Sequence, residues 1–323
     1  MVVDDRIYGK ITIAEPVIAE LIESRPMQRL KHISQDGAPH FIQPVRNVTR
    51  YEHSIGAWYL SHKYNRPIEE QIASLLHDTP HTAFSHVIDI VMEDVDDAYH
   101  DKFTKEVILA SEIPAICAKH HVDINKVLDK ENYHLLENEL PDISVDRWDY
   151  FMRDGYTFGL LPKETMKLFL DSIKDKDEYF YFEDLRVASL FAMMFITCDR
   201  LIWLDPTSHG SFYLLADVLR YAVEHEVLVQ KDFFKTDEAV LQMLHDAHDE
   251  KIDARLQRLQ PGKEFMYTSE QEAEYYGRNK PRFVDPLVDQ DAVLRRVSEL
   301  VPGVRGYFDE FKAHYTNIGV RQL

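Results

Sequence analysis

The chain has 323 residues, 45% of them hydrophobic and 11% aromatic, enough to bury a sizeable core as one large domain or two smaller ones, which excludes global disorder. Its 37 Lys and Arg stand against 56 Asp and Glu, a formal net charge of -19; this repels a phosphate backbone and disfavours nucleic acid as a partner. The two cysteines, Cys117 and Cys198, lie far apart with no CxxC spacing, so neither a disulfide framework nor a thiolate zinc site is expected.

In chain order, Met1-Val2-Val3-Asp4-Asp5-Arg6 is acidic where a secretory signal is basic, and no apolar run approaches the roughly 20 residues of a membrane helix. The expectation is a soluble, cytoplasmic protein without a membrane partner. Val17, Ile18, Leu21 and Ile22, then Ile55, Trp58 and Tyr59, then Ile68, Ile72, Leu75 and Leu76 repeat a helical spacing, which predicts core-facing helices. Boundaries fall at Pro26, between Gly37 and Pro44, at Asn65-Arg66-Pro67 and at Asp175-Lys176-Asp177, where turn formers cluster. The acidic run at 93–97 lacks the glycine of a calcium loop and reads as solvated surface. Strand candidates are few: Tyr179-Phe180-Tyr181-Phe182 and Arg282-Phe283-Val284, short and aromatic or β-branched. The fold class expected is all-α with minor β-strand additions. Residues 1–258 are expected to form one body; 259–323 are expected to make a polar loop excursion and then two helices that pack back on it.

The chemistry concentrates in the first half. His77-Asp78 follows the apolar face Ile72, Leu75, Leu76, placing an imidazole and a carboxylate at the buried end of a helix, where an unpaired aspartate is costly. Thr79-Pro80 opens a turn there, which lets both side chains reach one ion. His53 begins another apolar helix, and Asp146 sits among aromatic and aliphatic neighbours. His53, His77, Asp78 and Asp146 make a mixed nitrogen and oxygen set suited to Mn, Fe, Zn or a similar divalent ion.

These residues lie in motifs that resemble the HD-domain metal-dependent phosphohydrolases, and among them the branch of SAM-and-HD-domain dNTP triphosphohydrolases. The resemblance runs through Asp5-Arg6-Ile7-Tyr8-Gly9, Gln28-Arg29-Leu30, Arg50-Tyr51-Glu52-His53-Ser54-Ile55-Gly56, His77-Asp78-Thr79-Pro80-His81-Thr82-Ala83-Phe84-Ser85-His86 and Val145-Asp146-Arg147-Trp148-Asp149-Tyr150-Phe151-Met152-Arg153-Asp154. It spans residues 5–154, about half the chain. It implies a helical HD fold with His53, His77, Asp78 and Asp146 as ligands of a divalent ion drawn from Mn, Fe, Mg, Zn, Co and Ni. It puts His81 and His86 near the phosphates, His100 as a third active-site histidine and Arg50 on phosphate. It also assigns Tyr150 and Asp154 to the sugar and its 3′-hydroxyl, with Gln35 in a similar task. Imidazoles beside a phosphate can neutralise charge or protonate a leaving oxygen; the plain alternative for each is a helix-terminal histidine satisfied by backbone carbonyls.

The likeness weakens after the metal aspartate. Where those triphosphohydrolases carry a cation-rich helix with a sugar-packing tyrosine, this chain has Cys198-Asp199-Arg200-Leu201-Ile202-Trp203-Leu204-Asp205-Pro206-Thr207-Ser208-His209-Gly210. Arg200 and His209 are the local cations, Pro206 replaces the tyrosine, and Trp203 in its apolar run reads as core. Weaker selection for deoxynucleoside triphosphates is expected. No appended sterile-alpha-motif module is expected. The leading expectation is an enzyme, a divalent-metal-dependent phosphohydrolase of a nucleotide or related small phosphorylated molecule, for which a homo-oligomer is compatible. The alternatives are a non-catalytic nucleotide-binding sensor and a single-strand nuclease, the latter disfavoured by charge.

Overall fold

The computed structural model describes residues 1–93, 99–129 and 133–323; of the acidic run at 93–97, all but Glu93 lies outside them. Helices take 55% of the chain and strands 12%, so the body is mostly helical with small sheets. Its interior holds three apolar clusters. One gathers the N-terminal faces that periodicity predicts, with Val17, Ile18, Leu21, Ile22, Ile55, Trp58, Ile72, Leu75 and Leu76 all buried. Another is built on the helices Val145–Thr157, Lys163–Ser172 and Leu185–Cys198, and the last on Pro206–Glu224. The helix Arg50–Lys63 gives Ile55 and Trp58 to the first cluster and Ala57 and Leu60 to the second. One helix is thereby wedged between two apolar masses, which fixes the position of its first turn.

Helix starts follow local chemistry. Thr49 and Glu52 form a reciprocal capping box: the Glu52 amide donates to Thr49 Oγ1 at 3.2 Å and the Thr49 amide to Glu52 Oε2 at 3.0 Å, which sets where Arg50–Lys63 begins. Ser144 caps Val145–Thr157 by accepting from the Arg147 amide at 3.2 Å. The helix Ile68–Leu76 stops at His77, and Thr79 Oγ1 donates back to the Leu76 carbonyl at 2.7 Å.

Tyr179–Phe182 is a strand, antiparallel to Ile173–Lys176 and parallel to Leu287–Gln290. Other β expectations need correction. Arg282-Phe283-Val284 joins no ladder, because the Arg282 amide is taken by the side chain of Asp199 at 2.6 Å. The stretch at 260–281 is no plain loop: Phe265–Thr268 and Tyr275–Arg278 flank the C-terminal strand Asn317–Gln322, both antiparallel to it. Aromatic residues supply strand-forming bulk there where aliphatic content is low. Gly210 lets Phe265 lie on the helix Pro206–Glu224; a Cβ at that glycine would overlap the ring. After Leu287 the chain makes a hairpin, Leu287–Gln290 with Val293–Arg296, before the helices Val297–Leu300 and Pro302–Tyr315. Asp291 and Ala292 both adopt positive φ, 54° and 69°, the turn that matches the twist of a two-residue hairpin. Asp291 suits such a turn, but Ala292 stands where glycine is usual. Residues 259–323 feed two apolar clusters, through Val284, Val288, Val297 and Phe308 in one and Phe265 and Val320 in the other.

Among the described residues no single helix is long and apolar enough to cross a membrane; one bent pair, Leu185–Trp203 with Pro206–Glu224, has the length and composition, but both members line the helical core.

Candidate metal centre

Four side chains from three segments meet. His53 lies one turn into Arg50–Lys63, His77 and Asp78 follow the end of Ile68–Leu76, and Asp146 is in the first turn of Val145–Thr157. His53 Nε2 is 2.9 Å from Asp146 Oδ1, 3.2 Å from His77 Nε2 and 3.9 Å from Asp78 Oδ2. His77 Nε2 is 3.5 Å from Asp78 Oδ1 and 3.6 Å from Asp146 Oδ1. The other nitrogen of each ring is occupied: His53 Nδ1 pairs with Asp149 Oδ2 at 2.8 Å, and His77 Nδ1 with the Ser74 carbonyl at 2.8 Å. Carboxylates and carbonyls accept, so the neutral rings carry their protons on Nδ1 and turn the Nε2 lone pairs inward. Two lone pairs and two carboxylates at one spot repel unless a cation or protons sit among them. The donor set fits a divalent ion.

Without a metal, protons do that work. Burial lowers the pKa of His53, but hydrogen bonds to Asp146 and Asp149 and the charge of Asp78 raise it to about 10. His77 is raised against the same burial by Asp78 and Asp146. Burial alone would raise Asp146, yet His53 and His77 hold it far below the usual carboxylate range.

Asp149 was absent from the residues singled out by sequence. It is fully buried, receives Arg153 through Nε at 2.9 Å and Nη2 at 3.0 Å, and accepts from the Tyr8 hydroxyl at 2.7 Å. Arg153 also donates to Asp5 at 3.1 Å. The Asp5 and Tyr8 motif thus closes over the carboxylate that orients His53. The helices approach closely here because residue 56 is glycine; a Cβ would overlap Asp149 and the Arg153 guanidinium. The signal in sequence was spacing, since Asp146, Asp149, Tyr150, Arg153 and Asp154 lie three and four residues apart.

Arg50 is buried, donating from Nη1 to Asp78 Oδ2 at 2.9 Å, from Nε to Ser85 Oγ at 3.0 Å and from Nη2 to the Gln35 carbonyl at 3.4 Å. Burial favours the neutral acid at Asp78, but Arg50, then His77 and His81, hold it well below the carboxylate norm. Ser85 reaches Arg50 because Phe84 and Ser85 both adopt left-handed backbone, φ 61° and 53°, a strained pair. Asp237 braces it, accepting from the Phe84 amide at 2.7 Å and the Ser34 amide at 2.8 Å.

His81 is buried, with Nε2 3.2 Å from Asp78 Oδ1 and its ring stacked on His100 at 3.7 Å. Burial, then Arg50 and His100, lowers its pKa well below the imidazole norm, and burial with His86 lowers His100 to about 4. Both rings are neutral at pH 7. His86 stands edge-on to both rings, at 5.0 and 5.6 Å, and is the exposed member, its side chain 37% accessible. Its Nδ1 meets Asp89 Oδ2 at 2.9 Å, and Asp89 is further fixed by the Tyr99 amide at 3.1 Å. Asp89, three residues beyond His86 on the following helix, was also missed. Ligating atoms of His86, Asp89 and His100 lie within 4.8 Å of one another.

A cavity of about 230 Å³ adjoins this cluster, lined by Gln35, Arg50, His86, Tyr150 and Asp154 among others. Of the residues expected to hold substrate, Arg50, His86, Gln35, Tyr150 and Asp154 line it, while His81 and His100 stand behind His86. Trp203, expected in the core, packs on that core and also faces the cavity, donating from Nε1 to Asp154 at 2.8 Å. Burial, with Asp36 nearby, pushes Asp154 up to about 8. The cations differ from expectation. Arg200 is exposed and outside the lining; His209 lines the cavity but burial lowers it to about 4. Arg46, Lys280 and Arg282 line it instead, brought in by segments far along the chain. Pro206 opens the helix Pro206–Glu224 and is not part of the wall. A larger cavity of about 420 Å³, near Phe41 and Leu256, offers only His245 and Asp253 as polar chemistry besides two glutamines.

No family model matches the chain. It is 37% identical to the uncharacterized protein YdhJ of Bacillus subtilis over 90% of its own length and 89% of that protein. It is 30% identical to the metal-dependent phosphohydrolase cns2 of Cordyceps militaris over 80% of its length and 77% of that protein. The deoxynucleoside triphosphate triphosphohydrolase SAMHD1 of Danio rerio is 26% identical over 49% of this chain and 34% of that one. A solved hypothetical protein from Aquifex aeolicus shares the fold, with TM-score 0.74 at 20% identity across 100% of this chain and 95% of that one. With relatives of this kind spanning most of its length, the chain belongs to the HD-domain metal-dependent phosphohydrolases.

Proposed function

We propose that the protein hydrolyses a phosphoester or phosphoanhydride of a nucleotide, with His53, His77, Asp78 and Asp146 holding one divalent ion. The observation that carries this reading is the inward convergence of the two Nε2 atoms and two carboxylates beside a cavity that shares Arg50 with them. When bound, the ion supplies a Lewis acid that acidifies water and offsets phosphoryl charge.

The chain's own residues do the rest. Asp149 holds the His53 ring in its donor orientation. Arg50, anchored on Asp78 and Ser85, presents a fixed positive charge to a phosphoryl group at the cavity mouth. His86, whose Nδ1 proton is held by Asp89, donates a proton to a departing oxygen from Nε2 when its ring carries both protons, the Asp89 carboxylate balancing the imidazolium. His81 and His100 back the His86 ring. Tyr150 and Trp203, 5.0 Å apart and edge to face, offer aromatic walls for a nucleoside, and Asp154 and Gln35 offer polar atoms for its sugar. A sensor has no need of a water-acidifying ion, and the net charge of -19 disfavours a nucleic-acid strand.

The test is incubation of the full chain with dNTPs, NTPs, nucleoside monophosphates and single-stranded DNA, each with Mn, Mg, Co and Ni. Metal-dependent release of phosphate, pyrophosphate or triphosphate from a nucleotide supports the reading; metal-loaded protein inert on every nucleotide overturns it.

A further inference from the structure

The cavity wall contributed by Asn279, Lys280 and Arg282 lies in a segment read from sequence as polar loop and a short strand, with no role at the site. The segment is pinned by its backbone: the Arg282 amide donates to Asp199 Oδ2 at 2.6 Å, and the Asp285 amide to the Pro141 carbonyl at 2.9 Å, with Val284 fully buried between them. Asp199 belongs to a π-helical turn, Asp199–Trp203, that also delivers Trp203 to the cavity. The wall and the turn are therefore built as a unit, with Arg282 partly buried and facing the cavity.

The guanidinium of Arg282 makes no hydrogen bond or ion pair among the described residues. The other arginines of the lining are committed: Arg50 to Asp78 and Ser85, and Arg46 to Gln43, to the Ile202 carbonyl and to Asp36 at 3.5 Å. A partly buried guanidinium left unpaired is unfavourable, and its planar fork matches phosphate oxygens. The acids near it offset its charge only in part at pH 7. Burial pushes Asp199 up to about 7 and Asp154 up to about 8, and Asp36 faces Arg46. Arg282 lines the same cavity as Arg50, and Arg50 is bonded to Asp78 of the cluster at 2.9 Å, so the Arg282 charge and the cluster face one cavity.

We propose that Arg282 is a specificity residue that binds a second phosphate of the substrate, next to the one at the metal cluster, so that the site selects molecules with two or more adjacent phosphates over monophosphates. This rests on the phosphohydrolase reading above. It also replaces the sequence expectation of a cation-poor pocket, since the charge missing from 198–210 is restored by 279–285.

Arg282→Gln and Arg282→Lys test it in the full, metal-loaded chain. The tether to Asp199 uses the backbone amide and survives both changes, so metal content and melting temperature should match wild type. Arg282→Gln should raise KM for nucleoside di- and triphosphates about 10- to 100-fold, with kcat and the monophosphate KM changed less than about threefold, and Arg282→Lys should recover part of the loss. Calorimetric titration with inorganic pyrophosphate and with inorganic phosphate reads the same contact without turnover: pyrophosphate should weaken at least about 10-fold in Arg282→Gln and phosphate should not. Equal pyrophosphate affinity in wild type and Arg282→Gln overturns the proposal. Failure of wild type to hydrolyse any nucleotide, with the pyrophosphate difference intact, instead faults the reaction assigned above.

Discussion

His53 and Asp149 form a fully buried pair, Nδ1 to Oδ2 at 2.8 Å, in which the acid decides which nitrogen of the ring faces the cluster. Asp149→Asn keeps the shape but offers an amide that can donate to Nδ1 and turn the proton to Nε2, the nitrogen needed for coordination. Metal affinity should fall about 10- to 100-fold, measured by competition with a fluorescent chelator; unchanged affinity contradicts the role of Asp149.

Asp78→Ala removes a ligand and also strips Arg50 of its buried partner. Metal content after dialysis should drop to near zero and turnover with it. Retention of wild-type metal and activity in this variant rules out Asp78 as a ligand.

His86→Ala and Asp89→Asn should lower turnover while sparing the ion, since neither belongs to the cluster of His53, His77 and Asp146. Loss of a general acid costs about 10²- to 10⁴-fold. The measurement pairs steady-state rate with metal stoichiometry, and loss of metal comparable with that in Asp78→Ala makes His86 a ligand instead.

The chelated protein should show a distinct pH dependence of stability. The folded pKa of His53 stands at about 10, above its unfolded value of about 6.5, so its contribution is complete below about pH 6.5 and is lost as pH rises toward 10. Asp154, raised to about 8, keeps its proton in the fold while the unfolded chain releases it above about pH 4, which also lowers stability with rising pH. Asp154→Asn cannot titrate. Its melting temperature should exceed wild type by a margin that grows from pH 4 to 8, followed by circular dichroism; a constant margin refutes the buried neutral acid.

Gly56→Ala inserts a methyl group between Arg50–Lys63 and the Asp149–Arg153 pair. Overpacking of this kind costs about 1–3 kcal/mol, and here it should appear both in chemical denaturation and as weakened metal binding. A neutral substitution shows that the helices can part without disturbing His53.

The convergence of His53, His77, Asp78 and Asp146 was legible because its determinants are local. Thr49 and Glu52 announce a helix start that presents His53, an apolar face ends at His77-Asp78, and Ser144 caps the helix that carries Asp146. Asp149 and Asp89 were readable in principle from three-residue spacing to a named partner, but an aspartate on a helix looks the same whether it faces water or an imidazole. The cavity wall had no such signal. Arg282 is fixed by an amide contact to Asp199, 83 residues away in the chain, and the hairpin at Asp291-Ala292 was hidden because the apolar residues around it also fit a helical period. Sheet pairing at 265–278 depends on a strand at the far end of the chain, which no short window contains.

That last pairing ties one end of the cavity wall to a remote strand. The two strands that precede Asn279 share one partner, Asn317–Gln322, and the Asn279 amide itself bonds the Thr316 carbonyl at 2.7 Å. Asn279 lines the cavity beside Arg282, so a change that unseats Asn317–Gln322 reaches the cavity through Asn279, while Arg282 keeps its own tether to Asp199.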